Sequence, residues 1–178
     1  MSPALIVYES ILGNTEEIAR AVADGLGRSH SVTVSEVGRA PDVVPEDVDL
    51  LVVGGPTHAF GLSRPETRKE AADQATGPVP SGGRGLREWL EALAPSETPT
   101  PFATFDTRIS QHFPGSAAKK AHKRLRAKGF RSLEEPESFI VHGKPARLAE
   151  GEPDRARSWG EGLGRRLDDV GGVSARRA

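Results

Sequence analysis

The feature that most constrains the fold is the stretch from Ala4 to Leu26, ALIVYESILGNTEEIARAVADGL. Its first residues, Ala4–Tyr8, are apolar or aromatic and predict a short buried strand. A polar turn with one glycine follows, and the residues from Ile18 to Leu26 have the apolar spacing of an amphipathic helix. A strand that enters a helix through such a turn leaves unpaired N–H groups at the helix start, and these favour an anion. The stretch therefore predicts a phosphate-binding turn whose side-chain donors are Ser10, Asn14 and Thr15.

An alternative interpretation is an ordinary connection in which the oxygen of Asn14 or Thr15 caps the helix. The turn has neither the Gly-Lys-Ser/Thr of a P-loop nor the Gly-x-Gly-x-x-Gly of dinucleotide-binding folds. It resembles the phosphate loop of flavodoxins, roughly Ser/Thr-x-Thr-Gly-x-Thr after the first strand, which Ser10, Gly13 and Thr15 match. Leu12 stands where that family usually has a hydroxyl, so the resemblance implies one missing hydrogen bond to the phosphate.

Further apolar segments predict the rest of a sheet, with strands at Val32–Val37, Asp49–Gly55, Phe102–Phe105 and Phe139–His142. Amphipathic helices are predicted between and after them, at Gly85–Leu93, Ser116–Lys128 and Asp154–Leu167. This alternation predicts an α/β fold, a flavodoxin-like three-layer sandwich with helices on both faces of a five-stranded parallel sheet of order 2-1-3-4-5. Such sheets bind ligands beyond the carboxyl ends of the first and third strands. The loops richest in Gly, Pro, Ser and Thr follow those two strands.

Length and composition predict a single domain over residues 1–170 of the 178-residue chain. Residues 63–84 are a long insert after the second loop, and part of it, 67–75, has a helical composition. Residues 171–178 are rich in Gly, Ser and Arg and predict an unstructured tail.

The charge and residue usage exclude several classes of protein. The formal net charge is −1, so no global charge indicates a nucleic-acid or membrane partner. The chain has no cysteine, which excludes disulfides and thiol catalysis. No apolar run approaches the roughly 18 residues that span a membrane. Because no basic and then apolar segment precedes the first strand, we expect a cytoplasmic protein without a signal peptide.

The resemblance also assigns roles to the loop after the third strand. It implies that Pro56–Gly61 faces one side of the isoalloxazine ring of FMN, where flavodoxins usually place an aromatic residue. Phe60 is available for stacking, because flat π-systems pack well on one another. His58 is available for a hydrogen bond to the ring or the phosphate. The alternative is that Phe60 closes the top of the core.

The loop Asp106–Gly115 follows the fourth strand, and flavodoxins usually close it on the ring with a tyrosine. The single tyrosine here is Tyr8, inside the first strand, so the resemblance implies Phe113 or Ile109 as its substitute. In this interpretation Asp106 and Thr107 meet the ring edge, and Arg108 stabilises a reduced, anionic flavin. The alternative is a turn capped by the aspartate, with the arginine paired to a surface acid. The residues expected to bind FMN are Ser10, Ile11, Leu12, Gly13, Asn14, Thr15, Pro56, Thr57, His58, Ala59, Phe60, Gly61, Asp106, Thr107 and Arg108.

Two groups of cations remain outside these loops. Arg64, Arg68 and Lys69 of the insert form a lid over an anionic ligand, a docking patch, or a solvated loop. The helix from Ser116 carries only basic charges, at Lys119, Lys120, Lys123, Arg124, Arg126 and Lys128. It is a solvated face or a contact for an acidic redox partner, and we expect no nucleic acid because no aromatic residues are interleaved to stack on bases.

No catalytic residue can be named from the sequence. It contains no Gly-x-Ser-x-Gly motif, and the histidines at 30, 58, 112, 122 and 142 lack the spacing of metal ligands. Any chemistry therefore belongs to a cofactor. The leading interpretation is an FMN-binding protein that transfers electrons to a redox partner or acts as a small flavin-dependent reductase. The alternatives are a binding or regulatory module of the same fold that has lost the flavin, and a flavin-free hydrolase or phosphate-binding enzyme.

Overall fold

The computed structural model of the chain describes residues 2–109, 112 and 114–175. Its strands are β1 (Pro3–Tyr8), β2 (Ser31–Glu36), β3 (Leu50–Pro56), β4 (Pro101–Arg108), β5 (Arg131–Ser132), β6 (Glu137–His142) and β7 (Arg147–Leu148). Its helices are α1 (Asn14–Leu26), α2 (Pro65–Ala72), α3 (Leu86–Ala92), α4 (Ala117–Ala127) and α5 (Glu152–Ala175). The sheet has the order β2-β1-β3-β4-β6-β7, and all its pairs are parallel except β6 with β7. The predicted order 2-1-3-4-5 is confirmed.

The fifth position of the sheet is divided between two short strands. β5 pairs with the first two residues of β4, and β6 pairs with Phe105–Arg108 at its other end. Pro136 immediately precedes β6, and a proline has no N–H to donate to a ladder. The predicted strand Phe139–His142 is observed as β6, which begins two residues earlier, and β5 is an additional strand that the sequence analysis did not predict.

β4 extends beyond its predicted end at Phe105. Gly55 pairs with Asp106 and Pro56 with Thr107, so the ladder between β3 and β4 continues to the last residues of both strands. The residues assigned to a loop, Asp106–Arg108, are consequently buried strand residues. Their side chains have the fixed, alternating directions of a strand.

The hydrophobic core lies on both faces of the sheet. Ala4, Ile6 and Tyr8 of β1 pack with α1 and α5, whereas Leu5 and Val7 pack with α3 and α4. This alternation follows from the two-residue period of a strand. It explains why β1 and β3 are apolar along almost their whole length, since helices cover both of their faces.

Two peripheral segments differ from their predictions. The helix of the insert, α2, begins two residues before the predicted segment 67–75 and ends at Ala72, and it has no buried residue. Helix α5 continues to Ala175, so residues 171–175 are helical instead of unstructured, and residues 176–178 lie outside the described part. Val170 continues the apolar stripe of Leu163 and Leu167, which extends the amphipathic pattern toward the end of α5. In the part of the chain that the structure describes, no helix combines the length and apolar character needed to cross a bilayer.

Candidate functional site

A cavity of about 160 Å³ lies at the carboxyl ends of β1, β3 and β4. Ten of the predicted flavin-binding residues line it: Ser10, Ile11, Leu12, Asn14, Thr15, Pro56, Thr57, His58, Thr107 and Arg108. The other lining residues are Ile109, Val141 and Ala146, of which only Ile109 was considered from the sequence. Five predicted residues lie outside the lining: Gly13, Ala59, Phe60, Gly61 and Asp106. Phe113 lies outside the described residues.

A larger cavity, of about 610 Å³, lies at the opposite end of the strands, where Ser2, Asp49 and Pro101 line it. None of the predicted site residues lines this larger cavity. Parallel sheets of this type bind ligands at the carboxyl ends of their strands. The smaller cavity is therefore the candidate site.

The start of α1 lines the cavity and has no side-chain cap. Its N-cap residue is Gly13, whose φ of 90° lies in the left-handed region that favours glycine. The side chains expected to cap the helix point elsewhere, because Asn14 Nδ2 donates to the Ala146 carbonyl at 2.8 Å and the hydroxyls of Thr15 and Thr107 pair at 2.7 Å. The alternative interpretation of Asn14 or Thr15 as a cap is therefore wrong. The first N–H groups of α1 have no intrahelical acceptor.

Ser10 adds a buried, unused donor beside this open helix start. The residue is 1% exposed and lines the cavity, yet its Oγ has no hydrogen-bond partner among the described residues. Its main chain is already occupied, since Ser10 N–H donates to Ser81 Oγ at 2.9 Å and its carbonyl accepts from Ser81 N–H at 2.8 Å. The loop therefore offers the Ser10 hydroxyl, and not the Ser10 N–H, to a ligand.

Sequence reasoning missed Ser81, which lies in the long insert of residues 63–84. The residue is buried and connects the insert to the turn after β1. No local motif distinguishes it in SGGRG, and its partner lies 71 positions away in the chain. Only the folded structure brings the two serines together.

Asp106 does not line the cavity and is turned toward the start of α4. Its Oδ2 accepts hydrogen bonds from the Ser116 hydroxyl at 2.5 Å, the Thr57 hydroxyl at 2.9 Å and the Ala118 N–H at 3.1 Å. Thr57 Oγ1 in turn accepts from the Ala117 N–H at 2.8 Å. The carboxylate thus caps α4 and fixes the loop after β3, where the resemblance implied a contact with the ring edge.

Residues His58–Gly61 form a tight turn that points Phe60 outward. The N–H and carbonyl groups of His58 and Gly61 bond to each other at 2.9 and 3.0 Å, and Ala59 and Phe60 have φ values of 42° and 73°. Such values are rare for residues other than glycine and cost energy. Phe60 is 61% exposed, so the alternative that it closes the top of the core is wrong.

His58 lines the cavity as a neutral group near neutral pH. Burial lowers the pKa of its imidazole, and the nearby Arg68 cation lowers that pKa further. Its Nδ1 lies 3.2 Å from Thr67 Oγ1 of α2. The imidazole can therefore donate or accept a hydrogen bond at the cavity wall without adding a charge.

Arg68 links α2 of the insert to α3 through Glu88. Its guanidinium lies 3.1 Å from a carboxylate oxygen of Glu88 and donates to Ser63 Oγ at 3.0 Å. Ser63 donates to the buried Glu9 at 2.5 Å, and the other oxygen of Glu9 accepts from Leu86 N–H at 2.6 Å. Burial raises the pKa of Glu9, although both hydrogen bonds act in the opposite direction.

The other two cations of the insert singled out from the sequence are at the surface. Arg64 is exposed and precedes α2, and Lys69 lies 3.5 Å from Asp73, the residue that follows that helix. The described residues contain no cluster of three or more His, Cys, Asp or Glu side chains that could hold a metal ion.

Comparisons with known proteins agree on one family. The Flavodoxin family model matches residues 6–159. A flavodoxin from the domain Archaea is 19% identical, with a TM-score of 0.64 over 93% of this chain and 99% of that chain. The flavodoxin of Streptococcus pneumoniae TIGR4 is 20% identical, with a TM-score of 0.64 over 92% of this chain and 99% of that chain. Two-electron reduced Megasphaera elsdenii flavodoxin is 16% identical, with a TM-score of 0.59 over 91% and 98%.

No curated protein matches the chain significantly. At identities this low, the solved structures show the fold alone. The family model supplies the assignment, because it spans most of the sequence and includes the strand, turn and helix that open the chain. The resemblance inferred from Ser10, Gly13 and Thr15 is confirmed, and the chain belongs to the flavodoxin family.

Proposed function

We propose that the chain binds FMN at the carboxyl ends of β1, β3 and β4 and uses it to transfer electrons. The observation that carries the proposal is the Ser10 hydroxyl, which is buried and unpartnered beside the uncapped start of α1. A buried polar group without a partner is costly, and a phosphate oxygen would satisfy it. Family membership supports the same ligand.

The phosphate end of the ligand would be held by groups at the start of α1. These are the free N–H groups of the first turn, the Ser10 hydroxyl and the Thr15 hydroxyl, which Thr107 orients at 2.7 Å. Leu12 lines the cavity with an apolar side chain and donates nothing. The site therefore fits a phosphate, with one fewer hydroxyl than the loop pattern of the family.

The ring end would lie against Pro56–His58 and Thr107–Arg108, which line the cavity side by side. Bound FMN would supply the transfer of one or two electrons. The hydroxyl of Thr57 is engaged by Asp106 and Ala117, so this residue shapes the wall. His58 offers a neutral ring nitrogen, and Arg108 places a cation beside the cavity, where it would favour additional negative charge on the ligand.

The first test is the visible absorption spectrum of the purified chain after FMN is added and the excess removed. We expect a stoichiometric flavin band. Ser10→Ala should weaken FMN binding by about ten- to a hundredfold, because a hydrogen bond to a charged group contributes about 1.5–3 kcal/mol. Riboflavin has no phosphate and serves as the matched control ligand. Its affinity should be the same for both proteins.

A folded chain that retains no FMN would contradict the proposal and favour the interpretation as a binding module without flavin. An equal loss of FMN and riboflavin affinity in Ser10→Ala would instead show that this hydroxyl does not contact the phosphate. Circular dichroism of both proteins establishes that they are folded before either conclusion is drawn.

A further inference from the structure

Helix α4 presents four cations that form no salt bridge with any of the described residues. Lys119, Lys120, Lys123 and Arg126 are exposed, and we call them the basic face. In the described ranges of the chain, no acidic side chain lies within salt-bridge distance of any of them. Arg124 of the same helix is paired, at 3.3 Å from Glu91. Glu135 lines the same surface cavity as Lys119, Lys123 and Arg126, so the basic face retains an excess of positive charge on a chain whose formal net charge is −1.

The basic face begins beside the candidate flavin site. The first N–H of α4, from Ala117, donates at 2.8 Å to Thr57, which lines the cavity. A Cβ atom placed on Gly61 would lie 3.5 Å from Cγ of Lys120, so this lysine packs against the turn after β3. A cation of the basic face thus lies next to the loop that forms one wall of the cavity.

Two large apolar side chains are exposed in the loops around the cavity. Phe60 is 61% exposed and Ile109 is 68% exposed, and Val43 is the one other large apolar side chain in the described part with comparable exposure. Ile109 lines the cavity. The main chain of Phe60 is so close to Gly115, just before α4, that a Cβ there would lie 2.1 Å from the Phe60 carbonyl oxygen. The turn therefore holds the exposed ring close to the beginning of the basic face.

We propose that Phe60, Ile109 and the basic face together form the docking surface for an acidic electron-transfer protein. This inference rests on the proposed function, since it places the partner at the flavin site. Exposed apolar side chains flanked by charged residues are a common arrangement in protein interfaces. The cations would steer a partner rich in Asp and Glu toward the cavity and orient it there. Nucleic acid is less favoured, because the basic face itself carries no aromatic side chain for base stacking.

The test is an NMR titration of the ¹⁵N-labelled, FMN-treated full chain with an unlabelled acidic [2Fe–2S] ferredoxin. We expect amide shifts confined to Phe60, Ile109 and α4 at about 20 mM salt, and their loss near about 500 mM, where charges are screened over a few ångströms. Basic cytochrome c is the control protein and should leave α4 unchanged. Complex formation is read from the amides and requires no electron transfer, whereas flavin retention is read from the absorption spectrum of the same sample.

Charge reversals inside and outside the docking surface distinguish binding at this surface from a general effect of net charge. Lys119→Glu with Lys123→Glu should raise the apparent Kd for ferredoxin at least about tenfold at low salt. Arg39→Glu with Arg165→Glu changes the net charge equally at two exposed residues outside the surface and should change the Kd less than about twofold. The milder pair Lys119→Gln with Lys123→Gln should lie between them and guards against a folding defect.

Three results would overturn the docking surface. The two charge-reversed variants could change the Kd equally, or the amide shifts could map away from α4. The chain could also bind a DNA duplex of about 20 base pairs more tightly than ferredoxin at the same salt. Absence of retained flavin would contradict the proposed function and would leave the amide shifts as an independent result on docking.

Discussion

Helices α1 and α4 begin at the same edge of the sheet, but their first N–H groups are satisfied in different ways. At α4 the protein supplies every element of a cap: Ser116 Oγ accepts from Lys119 N–H at 3.1 Å, Asp106 accepts from Ala118, and Thr57 accepts from Ala117. At α1 the cap residue is Gly13, which has no side chain to offer.

This difference distinguishes a structural helix start from the one at which we propose that a ligand binds. The start of α4 is closed to a ligand because a buried carboxylate already supplies the negative charge that a helix N-terminus favours. The start of α1 retains that preference unsatisfied, with the Ser10 hydroxyl beside it. Helix α3 is a third case, since Leu86 N–H donates to Glu9. The fold therefore caps two of these three helices with its own acids and leaves α1 available for an anion.

The largest expected effect comes from removing the Asp106 carboxylate that caps the start of α4. Asp106→Ala should lower the free energy of unfolding by about 3 kcal/mol, because two hydroxyls and an N–H group would lose their buried acceptor. Urea unfolding measures it. Asp24→Ala, at an exposed aspartate of α1, is the control and should change the stability by less than about 0.5 kcal/mol. A loss at Asp106 no larger than this control would show that the carboxylate is not the cap of α4.

The next prediction compares alanine substitutions of two glycines, one at the start of α1 and one elsewhere with a similar backbone conformation. Gly13 and Gly151 have φ values of 90° and 81°, and neither has an atom within 4 Å of the position a Cβ would take. Alanine at either position should cost about 1–2 kcal/mol of stability through backbone strain, which thermal unfolding measures. Only Gly13→Ala should also weaken FMN binding, because only Gly13 lies in the loop after β1. Equal FMN affinities of the two variants would argue against a phosphate at α1.

We expect Glu9, which caps α3, to make the free energy of unfolding depend on pH. Burial raises the pKa of Glu9 in the folded state above its unfolded value near about 4.3, so the folded protein holds the proton more tightly. The stability contributed by this group is therefore complete below the unfolded pKa and is lost as the pH rises through the folded pKa.

We expect the free energy of unfolding of the wild type, minus that of Glu9→Gln, to decrease across this window by at most about 1.4 kcal/mol per pH unit. Urea unfolding at a series of pH values between about 4 and 8 gives both curves. A difference that stays flat or increases with pH would contradict the burial effect.

The smallest expected effect comes from adding a hydrogen-bond donor at position 12, beside the uncapped start of α1. Leu12→Thr places a hydroxyl where the family pattern has one and should tighten FMN binding about threefold to tenfold, the value of one modest hydrogen bond. Fluorescence titration with FMN measures it, with riboflavin as the control ligand. No change for FMN would mean that the side chain at this position does not reach the phosphate.

The sequence was sufficient for the fold because apolar runs and helical spacing are local signals. Ala4–Tyr8 and Asp49–Gly55 predicted two central strands, and their order in the sheet followed from the alternation with helices. The end of β4 could not be predicted in this way, because Asp106–Arg108 are polar and resemble loop residues. Their place in the sheet depends on pairing with Gly55 and Pro56 of a strand about 50 residues earlier.

The site was only partly predictable for a related reason. The loop residues Ser10–Thr15 and Pro56–His58 belong to segments whose position follows from the topology, and most of them line the cavity. The roles of Asp106 and Ser81 depend on where individual side chains point and on long-range hydrogen bonds. No spacing rule encodes a contact across 71 residues.

The ladder between β3 and β4 has a consequence for how the cavity responds to a ligand. Thr57 N–H donates to the Thr107 carbonyl at 2.9 Å, so the two strands remain joined where both line the cavity. Such a frame loses little conformational entropy when a ligand enters, and its amides should exchange with solvent hydrogen only through large-scale opening of the domain. In the proposed electron transfer, a preformed frame of this kind would keep the structural rearrangement that accompanies each step small.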